Sequence, residues 1–135
     1  MIKRVTKRST AVSCSTARAA LVALFVLSSS PLGAGEADVL KVEVTEIPGS
    51  GYTFQVTVRH ADEGWEHYAD RWDLLAPDGG VLATRILHHP HVDEQPFTRS
   101  LSGVELPSDV SEVTVRARDS VHGYGGEEIR VKPGR

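Results

Sequence analysis

Sulfur, long apolar runs and positive charge are all in short supply in this chain. One cysteine, Cys14, and one methionine, Met1, occur in 135 residues. A disulfide framework within the chain is excluded, because a single thiol has nothing to pair with. Soft sulfur ligands of the kind that hold monovalent copper are scarce for the same reason. No apolar stretch reaches the roughly 20 residues that a membrane-spanning helix needs. Basic residues number 15 against 18 acidic ones. Nucleic acid and anionic membrane surfaces, which are recognised through basic patches, are therefore not expected partners. Catalytic signatures are missing too. There is no Gly-x-Ser-x-Gly elbow and no glycine-rich phosphate loop between a strand and a helix. The glycines of Gly123 to Gly126 read as a hairpin connection, and nothing in the sequence argues for an enzyme.

What is there begins with a distinct leader. Lys3, Arg4, Lys7, Arg8 and Arg18 make the start basic, Ala19 to Leu27 is apolar, and Ser28 to Gly35 is small and helix-breaking. That order is a secretory signal peptide over residues 1–35, with cleavage expected after Gly35 or Ala37. Cys14 precedes the apolar run, whereas a lipid-bearing cysteine would follow it, so cleavage removes it. Residues 36–135 are then expected to be one exported domain, periplasmic or extracellular. Five of the fifteen basic residues leave with the leader, so ten face eighteen acidic ones and the net charge becomes −8. That charge is compatible with cation binding and equally with plain solubility.

The remaining residues alternate apolar and polar side chains in short runs, the pattern of half-buried strands. Leu40, Val42 and Val44 form the first run, and Tyr52, Phe54, Val56 and Val58 the second. Trp72 and Leu74 lie in a third, with Trp72 expected to anchor the core. Val81 to Leu87, Phe97 to Leu101, Val113 to Ala117, and Ile129 with Val131 complete seven. The sequence therefore predicts an all-β fold: a seven-stranded antiparallel β-sandwich of immunoglobulin or fibronectin type III-like layout, monomeric.

The connections differ in kind. Pro48 to Gly51, Pro77 to Gly80 and Pro107 to Asp109 are tight-turn chemistry. Residues 61–71, 88–96 and 120–126 are longer and richer. Consecutive strands that reverse direction send these two sets to opposite ends. All six histidines accompany the long loops: His60, His67, His88, His89, His91 and His122. Strand parity continues Val58 to His60, Ile86 to His88 and Ala117 to Asp119, each on the core-facing side. Imidazole with carboxylate suits zinc or divalent copper. The expected metal ligands are His60, His88, His91, His122 and Asp119, with His67 and His89 in reserve. Two further readings stay open. A metal-free network could tie the loops together through hydrogen bonds. Trp65 and Tyr68 with Tyr124, flanked by His67 and His89, could instead face an exported partner or ligand. A small metal-dependent hydrolase is a third reading, with Glu66 or Glu94 as its free carboxylate.

At GWEHYADRWDLLAPDGG, ILHHPHVDEQPFTRSLSGVELP and EVTVRARDSVHGYGG the chain resembles a family of short exported bacterial proteins uncharacterised in activity. The resemblance covers most of the expected domain and implies no reaction. In layout alone the chain also looks like fibronectin type III-like modules, an analogy that leaves function open.

Overall fold

The computed structural model describes residues 35–134. The expected leader, Cys14 included, lies outside the described residues except for Gly35. Seven strands follow in order: β1 (Asp38–Ile47), β2 (Gly51–Arg59), β3 (Ala69–Leu75), β4 (Val81–Ile86), β5 (Phe97–Val104), β6 (Val113–Asp119) and β7 (Ile129–Val131). No helix occurs among the described residues.

The strands make two antiparallel sheets, one ordered β1-β2-β5 and the other β4-β3-β6-β7. Alternation decides which side chains meet between them. Phe54, Val56 and Val58 of β2 are fully buried against Trp72 and Leu74 of β3 and Val113 and Val115 of β6. Trp72 has no exposed surface, which fits its expected role as core anchor. Burying an aromatic or branched aliphatic side chain contributes about 1.5–3 kcal/mol, so this two-sided cluster is what holds the sheets together without a disulfide.

Two inward sets differ from simple alternation. On β1 the register slips between Val39 and Lys41. This bulge adds a residue, so Val39 is buried at 2 % exposure while Leu40 is 39 % exposed. Beyond it Val42 and Val44 pack on the core as expected. On β4 the expected inward parity of Ile86 and His88 is also corrected. Trp72 stands opposite Arg85 and Leu74 opposite Ala83, and directly paired residues share a sheet face. The inward parity is therefore Ala83, Arg85 and Leu87, with Leu87 buried and Ile86 exposed. The register shift between Leu74 and Leu75 explains why Leu82 still touches the core.

Two glycines, one at each end of the sandwich, let backbones approach closely. Gly51 has φ of +77°, and a Cβ there would sit 2.5 Å from the Val104 carbonyl oxygen. Gly126 lets two backbones touch, since a Cβ would meet the Ala37 carbonyl oxygen at 2.0 Å. That approach accompanies the bond from Val39 N–H to the Glu127 carbonyl, 2.9 Å. It pins the segment before β1 against the loop after β6.

Candidate functional site

Antiparallel reversal brings the β2–β3, β4–β5 and β6–β7 connections to one end, and hydrogen bonds join them. The His60 N–H donates to Gln95 Oε1 at 3.0 Å. The His91 N–H donates to Asp62 Oδ2 at 2.7 Å. Tyr68 N–H donates to Ser120 Oγ at 3.1 Å, and Ser120 N–H to the Tyr68 carbonyl at 2.9 Å.

His60 continues the inward face of β2 and is 3 % exposed. Its Nδ1 lies 2.6 Å from Asp62 Oδ1 and its Nε2 lies 2.9 Å from the Gly35 carbonyl oxygen. A carboxylate and a carbonyl can only accept, so both ring nitrogens donate and the ring is an imidazolium. Burial alone would lower the His60 pKa. The Asp62 bond and charge, Asp119 and the Gly35 carbonyl outweigh burial and raise it. Asp62 is the counterpart. Burial would raise its carboxyl, but bonds from His60 and from the His91 and Ala69 N–H groups hold it below the usual range. Asp62 thus satisfies β2, β3 and the β4–β5 loop at once.

Asp119 continues the inward face of β6 and is wholly buried. Its Oδ1 accepts from Val121 N–H at 2.9 Å, His122 N–H at 2.7 Å and His67 Nε2 at 3.1 Å, with His122 Nδ1 at 3.2 Å. Its Oδ2 is buried with no hydrogen-bond partner. Burial would raise this carboxyl too, but the two backbone N–H groups and nearby imidazoles lower it. His67 lies beside both His60 and His122. Its ring centroid is 4.8 Å from that of His60 and 4.9 Å from that of His122.

Among the described residues, His60, His67 and Asp119 each offer a ligand atom, all within 4.8 Å of one another and all buried. This group could hold a metal. It differs from the expected set. His67, a reserve, belongs to it, and His88 does not: parity turns His88 outward beside buried Leu87, and it is exposed. His91 donates its backbone N–H to Asp62, and its ring Nδ1 stands 3.9 Å from Asp62 Oδ2, beyond hydrogen-bond reach. The ring stacks on Phe97 at 3.9 Å and 8°, and both its nitrogens lack partners. Burial, then the Arg99 and His89 charges, lower its pKa. His122 is exposed and touches the group through Asp119. His89 is exposed, with Nδ1 donating to the Pro90 carbonyl at 3.0 Å.

The aromatic set also divides. Trp65 is 68 % exposed and meets Tyr68 edge-on at 5.7 Å. It borders a groove of about 560 Å³ shared with His89, His91, Val92, Asp93 and Glu94. Tyr124 is elsewhere. Its hydroxyl donates to Asp73 Oδ2 at 2.6 Å and its ring lies under Arg116 at 3.7 Å, on the outer face of the second sheet. Of the hydrolase candidates, Glu94 is paired with Arg99 at 3.1 Å, which lowers its pKa. Sequence reasoning missed Asp62, Gln95 and the Gly35 carbonyl. Asp62 lies past the end of β2, where alternation stops carrying information, and a backbone carbonyl has no residue-type signal at all.

No family model matches the chain, and no solved structure matches it. The chain is 39 % identical over 103 residues to a protein of Halomicrobium mukohataei named "Putative lipoprotein". The match takes in 76 % of this chain and 50 % of the relative, so the chain spans about half the length of the protein it resembles.

Proposed function

We propose that this chain is an exported β-sandwich binding module that holds a divalent transition ion, zinc or divalent copper, at His60, His67 and Asp119. Export, to the periplasm or beyond the cell, is supported by the basic-apolar-small order of residues 1–35 and by the name of the Halomicrobium relative. Cys14 precedes the apolar run, so the leader is read here as one that is removed rather than lipidated. The strand order β1-β2-β5 against β4-β3-β6-β7 supports the fibronectin type III-like layout.

One observation carries the metal reading: a buried carboxylate oxygen, Asp119 Oδ2, has no partner inside a group of three buried metal-capable side chains. An unmet buried acceptor costs about 1–3 kcal/mol, and a cation would remove that cost. The spacing agrees. His67 Nε2 and Asp119 Oδ1 are 3.1 Å apart, and two donors about 2.0–2.1 Å from one tetrahedral ion stand roughly 3.3 Å apart. Nitrogen and oxygen donors suit zinc and divalent copper. His122, whose Nδ1 lies 3.2 Å from Asp119 Oδ1, is the side chain nearest at hand for a fourth ligand. When bound, the ion would tie the β2–β3 loop to the end of β6 through His67 and Asp119.

The test is a thermal melt of the exported form with zinc or cupric ion, then with chelator. A ligand that binds only the folded state raises Tm, so an increase reversed by chelator is expected. No shift at ion concentrations well above micromolar sinks the metal reading. A second reading has its own observation: both His60 nitrogens face acceptors. On that reading the cluster is a metal-free ion-pair network, and the Trp65 groove meets an exported partner.

A further inference from the structure

Trp65 takes no part in the hydrogen bonds that tie the loops together, and neither does the groove of about 560 Å³ beside it. We infer that this groove takes an arginine side chain from a basic segment of a partner protein, its guanidinium laid on the Trp65 ring and paired with the carboxylates around it. The inference rests on the reading of the groove as a contact surface, and it holds with or without an ion at His60, His67 and Asp119.

The exposure of Trp65 is built into its turn. The Glu63 N–H donates to the His67 carbonyl at 2.8 Å and the His67 N–H to the Gly64 carbonyl at 3.3 Å. Gly64, at φ +108°, supplies the backbone conformation that closes the turn. Trp65 and Glu66 form its tip, and the buried His67 side chain, bonded to Asp119, anchors it. An indole 68 % exposed on a turn fixed in this way is held in water. Tryptophan so presented is the residue type that anchors interfaces.

Charge selects the occupant. Glu63 and Glu66 flank Trp65 in the turn, and Asp93 and Glu94 line the groove with it; all four are exposed. Arg99 holds Glu94, and Glu63 stands 3.6 Å from His67 Nδ1. Glu66 and Asp93 have no ion-pair partner among the described residues. Among those residues, no lysine, arginine, amide or hydroxyl side chain lines the groove, and His89 and His91 are its other polar members. A neutral ligand would gain from the ring alone and leave the negative charge unanswered. A cation gains from the ring and the carboxylates together.

Arginine rather than lysine follows from how the chain treats its own side chains. Arg116 lies 3.7 Å from the Tyr124 ring centroid and bonds to Asp73 Oδ2 at 3.3 Å. Arg99 lies 5.6 Å from the Phe97 centroid while its guanidinium meets both oxygens of Glu94. Twice a planar guanidinium is laid on an aromatic ring and closed by a carboxylate, a geometry that a lysine ammonium fits less well. Trp65 with Glu66 and Asp93 is a third set of the same composition, and among the described residues it has no arginine.

The test is calorimetric titration of the full chain, in chelator, with a blocked peptide of alternating glycine and arginine. Its counterparts carry lysine or citrulline, the latter keeping the shape of arginine without the charge, and a neutral glucose oligosaccharide is the last probe. The arginine peptide is expected to bind about tenfold or more tighter than the citrulline peptide, with most of that gain lost in W65A and in D93N. Both positions are exposed, and circular dichroism verifies that the variants keep the fold. Equal binding of the arginine and citrulline peptides overturns the inference, as does arginine-peptide binding that survives W65A. A lysine peptide bound as tightly overturns the choice of arginine. Oligosaccharide binding that needs Trp65, with the arginine peptide ignored, also overturns it but leaves the groove standing as a contact surface. No binding of any probe sinks both. Sedimentation that finds the chain self-associated and W65A monomeric would make the occupant a second copy and end the partner assignment.

Discussion

His60 Nδ1 and Asp62 Oδ1 are 2.6 Å apart, two residues separated by one, with no solvent exposure of either side chain. A carboxylate so placed does more than neutralise an imidazolium. Asp62 also takes the N–H groups of Ala69 and His91, so one side chain closes the start of β3 and the β4–β5 loop.

Asp62→Ala is accordingly expected to be among the most damaging single changes at this end. It strands a buried charge and two backbone donors, and breaking a buried pair in this way costs about 3–5 kcal/mol. Urea unfolding monitored by tryptophan fluorescence measures it. A loss under about 1 kcal/mol, within the range of a surface substitution, would mean that the pair contributes little.

The same groups set a pH profile for the metal-free protein. The folded pKa of His60 is raised above its ordinary 6.5. Its contribution is complete below 6.5 and is lost as pH rises through the folded value. His91 is lowered from 6.5, chiefly by burial, so its contribution is complete above 6.5 and lost as pH falls. Asp62 and Asp119 are lowered from 3.8, and their contributions vanish as pH falls below that value. Stability measured by denaturant titration should therefore peak near pH 6.5 and decline on both sides. H60N should flatten the alkaline side and also weaken the acid-side dependence, because His60 helps lower Asp62 and Asp119; an alkaline slope unchanged in H60N would rule His60 out as its source.

Zinc binding separates the histidines. His67→Ala and Asp119→Asn are expected to weaken zinc by at least tenfold, the lower end of what even supporting groups contribute. His88→Ala should leave affinity within twofold, because its ring stands on the outer parity of its strand. Calorimetric titration of residues 36–135 with zinc decides. A large loss in H88A would restore the parity that the β4 register overturns.

The two tryptophans should behave as opposites. Trp72 has no exposed surface and Trp65 is 68 % exposed. Trp72→Ala is expected to cost about 3–5 kcal/mol through lost contacts and a cavity, and Trp65→Ala less than about 0.5 kcal/mol. Equal destabilisation would show that the Trp65 loop is packed in solution rather than open beside its groove.

Tyr124→Phe removes the donor to Asp73 Oδ2, which keeps Arg116 at 3.3 Å, while Oδ1 keeps Thr84 at 2.7 Å. A loss of about 1–2 kcal/mol is expected by denaturant unfolding, since one bond to a charged group goes while its neighbours remain. Unchanged stability would mean that Arg116 and Thr84 satisfy Asp73 unaided.

Much of the strand arrangement was legible because β-structure writes itself with a period of two. The runs around Phe54, Trp72 and Val115 mark buried faces, and continuing two of them reached buried His60 and Asp119. Alternation misleads where the period breaks. A bulge moved burial from Leu40 to Val39, and on β4 the inward face proved to be that of Ala83 and Leu87, which turned His88 out. Loop ends were readable as a group, since the long connections carry every histidine. Their internal wiring was not: Asp62 and Gln95 act through turns whose geometry no alternation encodes. Nor could the sequence tell that His91 would engage Asp62 by its backbone while its ring stacked on Phe97.

Gly126 lends the molecule a form of remote control. Because its bare backbone lies against Ala37, any side chain there must push the strap that carries Gly35 and Glu36 past His60. The imidazole would then be disturbed by a residue it never touches. A methyl group at position 126 would thus be felt at His60 through the Gly35 carbonyl that its Nε2 touches.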